Sequence, residues 1–231
     1  MQQVRMREGF ALCYTASSQH GKGLVLAGGE YETAQTELVK ATVGPEWHVF
    51  DIGAALGYYS MLTAKAGAIV TAFEPRLSSY QALTEGVRVN EASKFITAYR
   101  LAVGDSTGVV SLGLNSGNDT DSRLVSPVYW PQEPVYCVTL DSAMPCISAT
   151  PGKVFIKIDV QGSELAVLRG AAKLLAQFHP TILIEDSPEH VRLAGETENL
   201  RDVLTRLGYN WQVVTPRGQD FCDLWCIPHG I

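Results

Sequence analysis

Carboxylates recur in this sequence where they could act together. Asp51 opens Asp51-Ile52-Gly53-Ala54-Ala55-Leu56-Gly57, Glu74-Pro75 follows one apolar run, Asp159 follows another, and Glu185-Asp186 follows a third. Taken singly, an acid at the end of a β-type run reads as an N-cap or a solvated turn residue. Together they describe a site. Gly53 and Gly57 remove side chains where a ligand would approach backbone, and a helix starting there turns its first N–H groups toward an anion. Glu74, about 20 residues further on, is placed to accept from two ribose hydroxyls. Those features suit a dinucleotide and S-adenosylmethionine alike. Ala55 separates them, because the G-x-G-x-x-G fingerprint has glycine there for close approach of a pyrophosphate. Asp51 points the same way: a carboxylate repels a pyrophosphate and attracts the sulfonium and ammonium of S-adenosylmethionine.

Such acids need a scaffold that delivers them to one edge. From Trp47 onward, apolar runs of strand length alternate with segments of helical period, the pattern of a parallel sheet with helices on its faces, and ligands bind beyond the carboxyl ends of such strands. Strands are expected over His48–Ile52, Ile69–Phe73, Ile96–Val103, Val154–Ile158 and Thr181–Ile184, then over Trp211–Val214 and Phe221–Ile227. Helices are expected over Tyr58–Ala66, Ser78–Asn90 and Glu198–Leu207, with one more carrying Leu165, Leu168, Ala172 and Leu175 on one face. The stretch Asp105–Pro151, rich in Gly, Ser, Asn and Pro, breaks the alternation. It reads as an insertion with a hairpin (Val109–Leu112 and Val135–Val138) and a mobile loop over Asn115–Pro134, either a substrate lid or a plain loop. Residues 1–45, with Glu30–Val43 helical, form a cap ahead of the first strand, and the whole of 1–231 reads as a single domain.

Phe50-Asp51-Ile52-Gly53-Ala54-Ala55-Leu56-Gly57-Tyr58-Tyr59-Ser60, then Ala72-Phe73-Glu74-Pro75, then Ile156-Lys157-Ile158-Asp159-Val160-Gln161-Gly162-Ser163-Glu164, resemble the motifs of the FkbM family of S-adenosylmethionine-dependent methyltransferases. The similarity runs from about Gly29-Glu30-Tyr31-Glu32 through Ile182–Glu185 to the last strand. It implies a Rossmann-like three-layer α/β/α sandwich, a seven-stranded, mostly parallel sheet with its last strand antiparallel, and methyl transfer to a hydroxyl of a small molecule such as a sugar or polyketide. Three positions depart from the family pattern: Ala55 and Gly86 where Asn is usual, and Gln161 where Glu is usual. On this reading Gly53, Ala54 and Gly57 let the methionine part lie against the turn, Asp51 takes the ammonium, and Tyr58, Tyr59 and Ser60 open the helix toward the carboxylate. Glu74 holds the ribose, and adenine sits between Pro75 and the backbone near Ala102-Val103. Lys157 and Asp159 share a sheet face, either as a structural ion pair or with a direct role. An alcohol acceptor must lose a proton, and the candidate bases are Asp159, Glu185 and His190, with Glu164 a further carboxylate. Asp159, Glu164 and Glu185 could hold Mg²⁺ through oxygen, but spacing alone does not make them converge and no metal site is assigned.

Composition limits the rivals. Of 231 residues, 46% are hydrophobic and 18% charged, ordinary for a globular chain, and 18 Lys+Arg against 24 Asp+Glu give −6. Without a basic run, nucleic acid is not an expected partner, which also tells against an RNA methyltransferase. A membrane is not expected either, since apolar runs such as Ala66–Phe73 fall far short of about 18 residues. Arg5 and Arg7 ahead of Gly9–Tyr14 imitate a signal peptide, but Glu8 interrupts the basic region and the apolar run ends early. Cys13, Cys137, Cys146, Cys222 and Cys226 are too scattered for a zinc site and read as reduced thiols, hence a cytoplasmic protein. The expected partner is a small-molecule hydroxyl acceptor. Two alternatives stand beside the methyltransferase: a catalytically degenerate binder of the same fold, suggested by Ala55 and Gln161, and an NAD-dependent oxidoreductase, against which Ala55 argues.

Overall fold

The computed structural model describes residues 1–115, 121–124, 130–146, 152–216 and 221–230. Its N-terminal segment begins with a hairpin, β1 (Gln2–Arg5) and β2 (Ala11–Tyr14), followed by helices α1 (Gln19–Leu26) and α2 (Thr33–Thr42). Only α2 is foreseen from the sequence, because the hairpin runs are too short to show alternation. Next come β3 (Trp47–Ile52), α3 (Tyr58–Lys65), β4 (Ile69–Phe73) and α4 (Leu77–Val89), close to the expected bounds, and then β5 (Ile96–Tyr99).

The expected third strand is too long. It stops at Tyr99, and β6 (Ala102–Gly104) joins a separate four-stranded sheet with β7 (Gly108–Leu114), β8 (Ser122–Arg123) and β9 (Gln132–Thr139), in the order β6-β9-β7-β8. The insertion thus carries the expected hairpin, with Val109 opposite Tyr136, while residues 116–120 and 125–129 of the expected loop lie outside the described residues. A 3-10 helix (Leu140–Cys146) precedes β10 (Lys153–Ile158). The single helix expected next is two, α5 (Glu164–Gly170) and α6 (Ala172–Phe178). Asp141 explains the break: its carboxylate accepts from the Lys173 and Leu174 N–H groups and so starts a new helix. After β11 (Thr181–Asp186) comes a short helix that carries His190, α7 (Pro188–Leu193), with proline in its first turn. Then follow α8 (Leu200–Arg206), β12 (Tyr209–Pro216) and β13 (Cys222–Pro228).

The main sheet has seven strands in the order β12-β13-β11-β10-β3-β4-β5. β3, β4, β5, β10 and β11 run parallel, and β13 is antiparallel to both of its neighbours. This is a Rossmann-like three-layer α/β/α arrangement with a seven-stranded, mostly parallel sheet, as expected. β3 lies between β4 and β10, so the crossover direction reverses there and a crevice opens at its carboxyl end.

Alternation along the strands decides what lines that crevice. Val49, Phe155, Leu183 and Trp225 face the layer of α2, α3 and α4, packing with Val39, Leu62 and Leu83. Phe50, Ile156, Ile182 and Leu224 face the opposite layer, with Leu165, Leu174 and Leu204. Phe50 and Phe155 are each 0% exposed, and burial of such a side chain contributes about 1.5–3 kcal/mol. With a period of two, the first row continues past its apolar members into Asp51, Lys157, Glu185 and Asp223, all on the α2 side of one sheet edge. The register confirms it: Asp51 stands beside Lys157, and Glu185 beside Asp223. Among the described residues no helix is long and apolar enough to cross a membrane. Cys13, Cys137, Cys222 and Cys226 are buried free thiols.

Candidate active site

The turn after β3 is made of left-handed residues: Gly53, Ala55 and Gly57 have φ of 76°, 49° and 88°. Gly53 is required, because a Cβ there would stand 1.9 Å from the Asp159 carbonyl oxygen. Ala55 holds the same conformation without glycine's freedom, at a cost of about 1–2 kcal/mol. Its N–H donates to Glu74 Oε2 at 2.9 Å, and the Arg76 N–H donates to Glu74 Oε1 at 2.8 Å. Two backbone donors therefore fix the Glu74 carboxylate at the end of β4, and each oxygen keeps a lone pair for a further donor. Burial pushes Glu74 up to about 7, against the pull of those N–H groups.

A cavity of about 720 Å³ opens here, within the roughly 300–1,000 Å³ typical of small-molecule sites. Its wall takes in Asp51, Glu74, Lys157, Asp159 and Glu185, hence acids from four strands, as the sequence suggested. Asp51 is 1% exposed; Ser60 Oγ donates to its Oδ2 at 2.6 Å, while Oδ1 is buried without a hydrogen-bond partner. Burial raises Asp51, opposed by the Lys157 charge and the Ser60 hydroxyl. Lys157 Nζ donates to Asp159 Oδ2 at 2.9 Å and lies 5.5 Å from the centre of the Tyr59 ring. Burial works against its charge, yet Asp159, Asp51 and Glu32 together hold it above the ordinary lysine value. The Gln161 side-chain amide donates to Asp159 Oδ1 at 2.6 Å and to Glu185 Oε2 at 3.0 Å. Glu185 is raised well above its usual range, first by burial and then by Asp159 and Glu164.

Gly53, Ala54, Tyr58, Tyr59, Pro75, Ala102 and Val103 also reach the cavity wall. Both tyrosine hydroxyls are already engaged with the N-terminal segment: Tyr58 Oη lies 2.9 Å from Thr36 Oγ1, and Tyr59 donates to Glu32 Oε2 at 2.6 Å. Gly57 and Ser60 stand behind the wall. A Cβ at Gly57 would meet Leu83, and Ser60 acts on Asp51. His190 is also outside the wall. Its Nε2 is 3.0 Å from an Arg123 guanidinium nitrogen, its Nδ1 is 3.9 Å from Glu185 Oε2, and burial followed by the Arg123 charge lowers its pKa. Glu164 is outside the wall as well, and its oxygens accept from the Val160 and Gly162 N–H groups. Among the described residues no group of three or more His, Cys, Asp or Glu could hold a metal ion. Sequence reasoning passed over Tyr31, Glu32 and Gln35 from the cap and Leu112 and Leu124 from the insertion, all in the wall. The signal for two of them was present in Gly29-Glu30-Tyr31-Glu32, where the family resemblance begins.

Known proteins of this architecture agree in fold. A methyltransferase FkbM from Methylobacillus flagellatus KT superposes with a TM-score of 0.52 at 23% identity, over 77% of this chain and 43% of its own. The present chain thus spans less than half of that protein's length. A candidate methyltransferase from Streptococcus mutans, in complex with SAH, gives 0.54 at 8% identity over 85% of this chain and 96% of its own. An rRNA methylase from Streptococcus thermophilus gives 0.51, also at 8% identity, over 84% and 93%. No curated protein matches the sequence at significant similarity. Residues 51–210, from the Asp51 turn to the start of β12, match the model of the methyltransferase FkbM domain, and the chain belongs to the FkbM methyltransferase family.

Proposed function

We propose that the protein uses S-adenosylmethionine to methylate a hydroxyl of a small molecule. The observation that carries the cofactor is Asp51 Oδ1, a buried carboxylate oxygen in the cavity wall with no donor, where an ammonium would meet it. Glu74 supports the same reading, because its backbone-fixed oxygens suit two neighbouring hydroxyls. Residues and group therefore fit: Asp51 and the Gly53–Ala54 backbone would hold the amino-acid part, Glu74 the ribose, and Pro75, Ala102 and Val103 the base. When bound, S-adenosylmethionine supplies an electrophilic methyl group on a good leaving group, so orientation and water exclusion provide much of the acceleration.

The acceptor side is left to this chain's own groups. Glu185 and Asp159 are the wall carboxylates that can take the hydroxyl proton, and Lys157 puts positive charge beside the oxygen that loses it. Lys157 is the only Lys or Arg among the described residues of the wall, which suits a neutral small acceptor better than a phosphate backbone. The test is direct. S-adenosylhomocysteine should raise the melting temperature and NAD should not, and isotope-labelled methyl donor should mark a small molecule in a cell extract. A melting curve indifferent to S-adenosylhomocysteine removes the cofactor; label found only in RNA removes the acceptor class.

A further inference from the structure

Gln161 stands in the wall between two acids. Its side-chain nitrogen lies within 3.0 Å of oxygens from two acids on adjacent strands, Asp159 Oδ1 and Glu185 Oε2, so one amide joins the two groups best placed to receive a proton. The residue pays for that position with backbone strain: its φ is 57°, in the left-handed region that side chains other than Asn and Asp avoid. Gly162 follows with φ of 109°, where a Cβ would meet the His190 carbonyl at 2.7 Å, and Glu164 pins the Val160 and Gly162 N–H groups. The loop is thus held by both sides to present this one amide. A carboxylate at the same position would add a third negative charge between two others and could donate nothing.

Resting on the methyl-transfer reading above, we propose that Gln161 is a positioning residue that holds Asp159 and Glu185 as a pair facing the acceptor, so that Glu185 receives the proton of the acceptor hydroxyl. The atoms balance simply. The acceptor oxygen forms its bond to the methyl carbon as the carbon–sulfur bond breaks, the bonding pair leaves with sulfur, and the hydroxyl proton passes to a Glu185 oxygen and from there to water. Asp159 is the less available of the two, since Lys157 and Gln161 between them occupy both of its oxygens.

The groups around Glu185 set its behaviour from every side. Asp159 and Lys157 face it from β10 and the loop after it, Glu164 from α5, Asp223 from β13, and His190 Nδ1 from α7 at 3.9 Å, with Arg123 beyond the histidine. Burial and three carboxylates favour its protonated form, while Lys157 opposes them. The Gln161 N–H donates to the ionised form and favours it, so losing that donor must tighten the proton's hold. Methyl transfer should accordingly rise with pH as Glu185 ionises.

The experiment needs no acceptor. Carbon-13 at the glutamate carboxyl carbons, with the Glu185 resonance assigned from Glu185→Gln, reports the Glu185 titration in the intact protein, and S-adenosylhomocysteine binding is measured on the same samples. The wild type should titrate above the ordinary glutamate value of about 4.3. Gln161→Met should move the midpoint upward, and Gln161→Glu further, to a proton bound about tenfold more tightly than in the wild type. Rescue by neither variant is expected, and a purely structural role would change melting temperature while leaving the midpoint where it was. An ordinary midpoint for the wild type, or one midpoint shared by all three proteins, overturns the proposal. Absence of S-adenosylhomocysteine binding in the wild type removes the methyl-transfer reading, and the proposed role with it, whatever the titration shows.

Discussion

At the scale of single residues, the ribose-holding role proposed for Glu74 predicts that cofactor binding depends on pH. Its carboxyl sits near 7 in the protein because burial disfavours the charge, yet two ribose hydroxyls need acceptors that only the ionised form supplies fully. Below that value the protein must release a proton to bind, so S-adenosylhomocysteine affinity should fall by up to about tenfold per pH unit. Glu74→Gln should weaken binding at neutral pH by about 1.5–3 kcal/mol, roughly 10- to 100-fold, and should abolish this part of the pH dependence. Calorimetric titration across pH checks both, and an unchanged Kd for the variant would remove Glu74 from the ribose site. Glu74 was legible in the sequence because one strand and one turn place it. Gln35 was not: its amide donates to Asp223 Oδ2 at 2.5 Å across 188 positions, and no local pattern encodes such a meeting. The surroundings of His190 were hidden for a similar reason, since the Arg123 beside its Nε2 comes from the insertion.

At the scale of elements, what could be read was what repeats. β3, β4, β10 and β11 announce themselves as runs of buried β-formers, and α3 and α4 as helical segments between them. The breaks were hidden because distant groups make them: Asp141 starts α6, and β6 leaves the main sheet to pair with Cys137–Thr139 of β9. The turn between β3 and α3 puts local strain into the cavity wall. Ala55 at φ 49° should accept asparagine with relief, because that side chain tolerates the left-handed region, and Ala55→Asn should stabilise by about 0.5–1 kcal/mol. For a chain of this size that is a rise in Tm of about 1–4 °C. Gly53→Ala has no such room, with the Asp159 carbonyl 1.9 Å from the new carbon, and should cost about 3 kcal/mol or more. Urea unfolding of both variants measures this. A neutral Gly53→Ala would mean that the turn and the end of β10 do not pack as described.

At the scale of the whole molecule, one sheet edge collects carboxyl groups that folding makes reluctant to ionise. Glu74 and Glu164 are pushed up to about 7 by burial, and Asp51 and Glu185 are raised for the same first reason. In the unfolded chain such groups titrate near 4, so between about pH 4.5 and about pH 7 the native state binds protons that the unfolded state has released. A raised folded value gives stability that is complete below the unfolded value and is lost as pH climbs through the folded one. His48 acts in the opposite sense. Buried against Thr71 and lowered to about 4 by desolvation, it costs stability once the unfolded imidazole takes up a proton below about pH 6.5. Over the shared interval Glu74 and Glu164, two carboxyls pushed up to about 7, outweigh one imidazole. The protein without cofactor should therefore melt higher at about pH 5.5 than at about pH 7.5, each carboxyl contributing at most about 1.4 kcal/mol per pH unit. Glu164→Gln tests the origin of the slope without touching the cavity wall: it should flatten the fall in Tm between those two conditions. A wild-type Tm that stays level or rises over the same interval would show that these acids ionise freely in the fold, and that the cavity edge is better hydrated than its geometry implies.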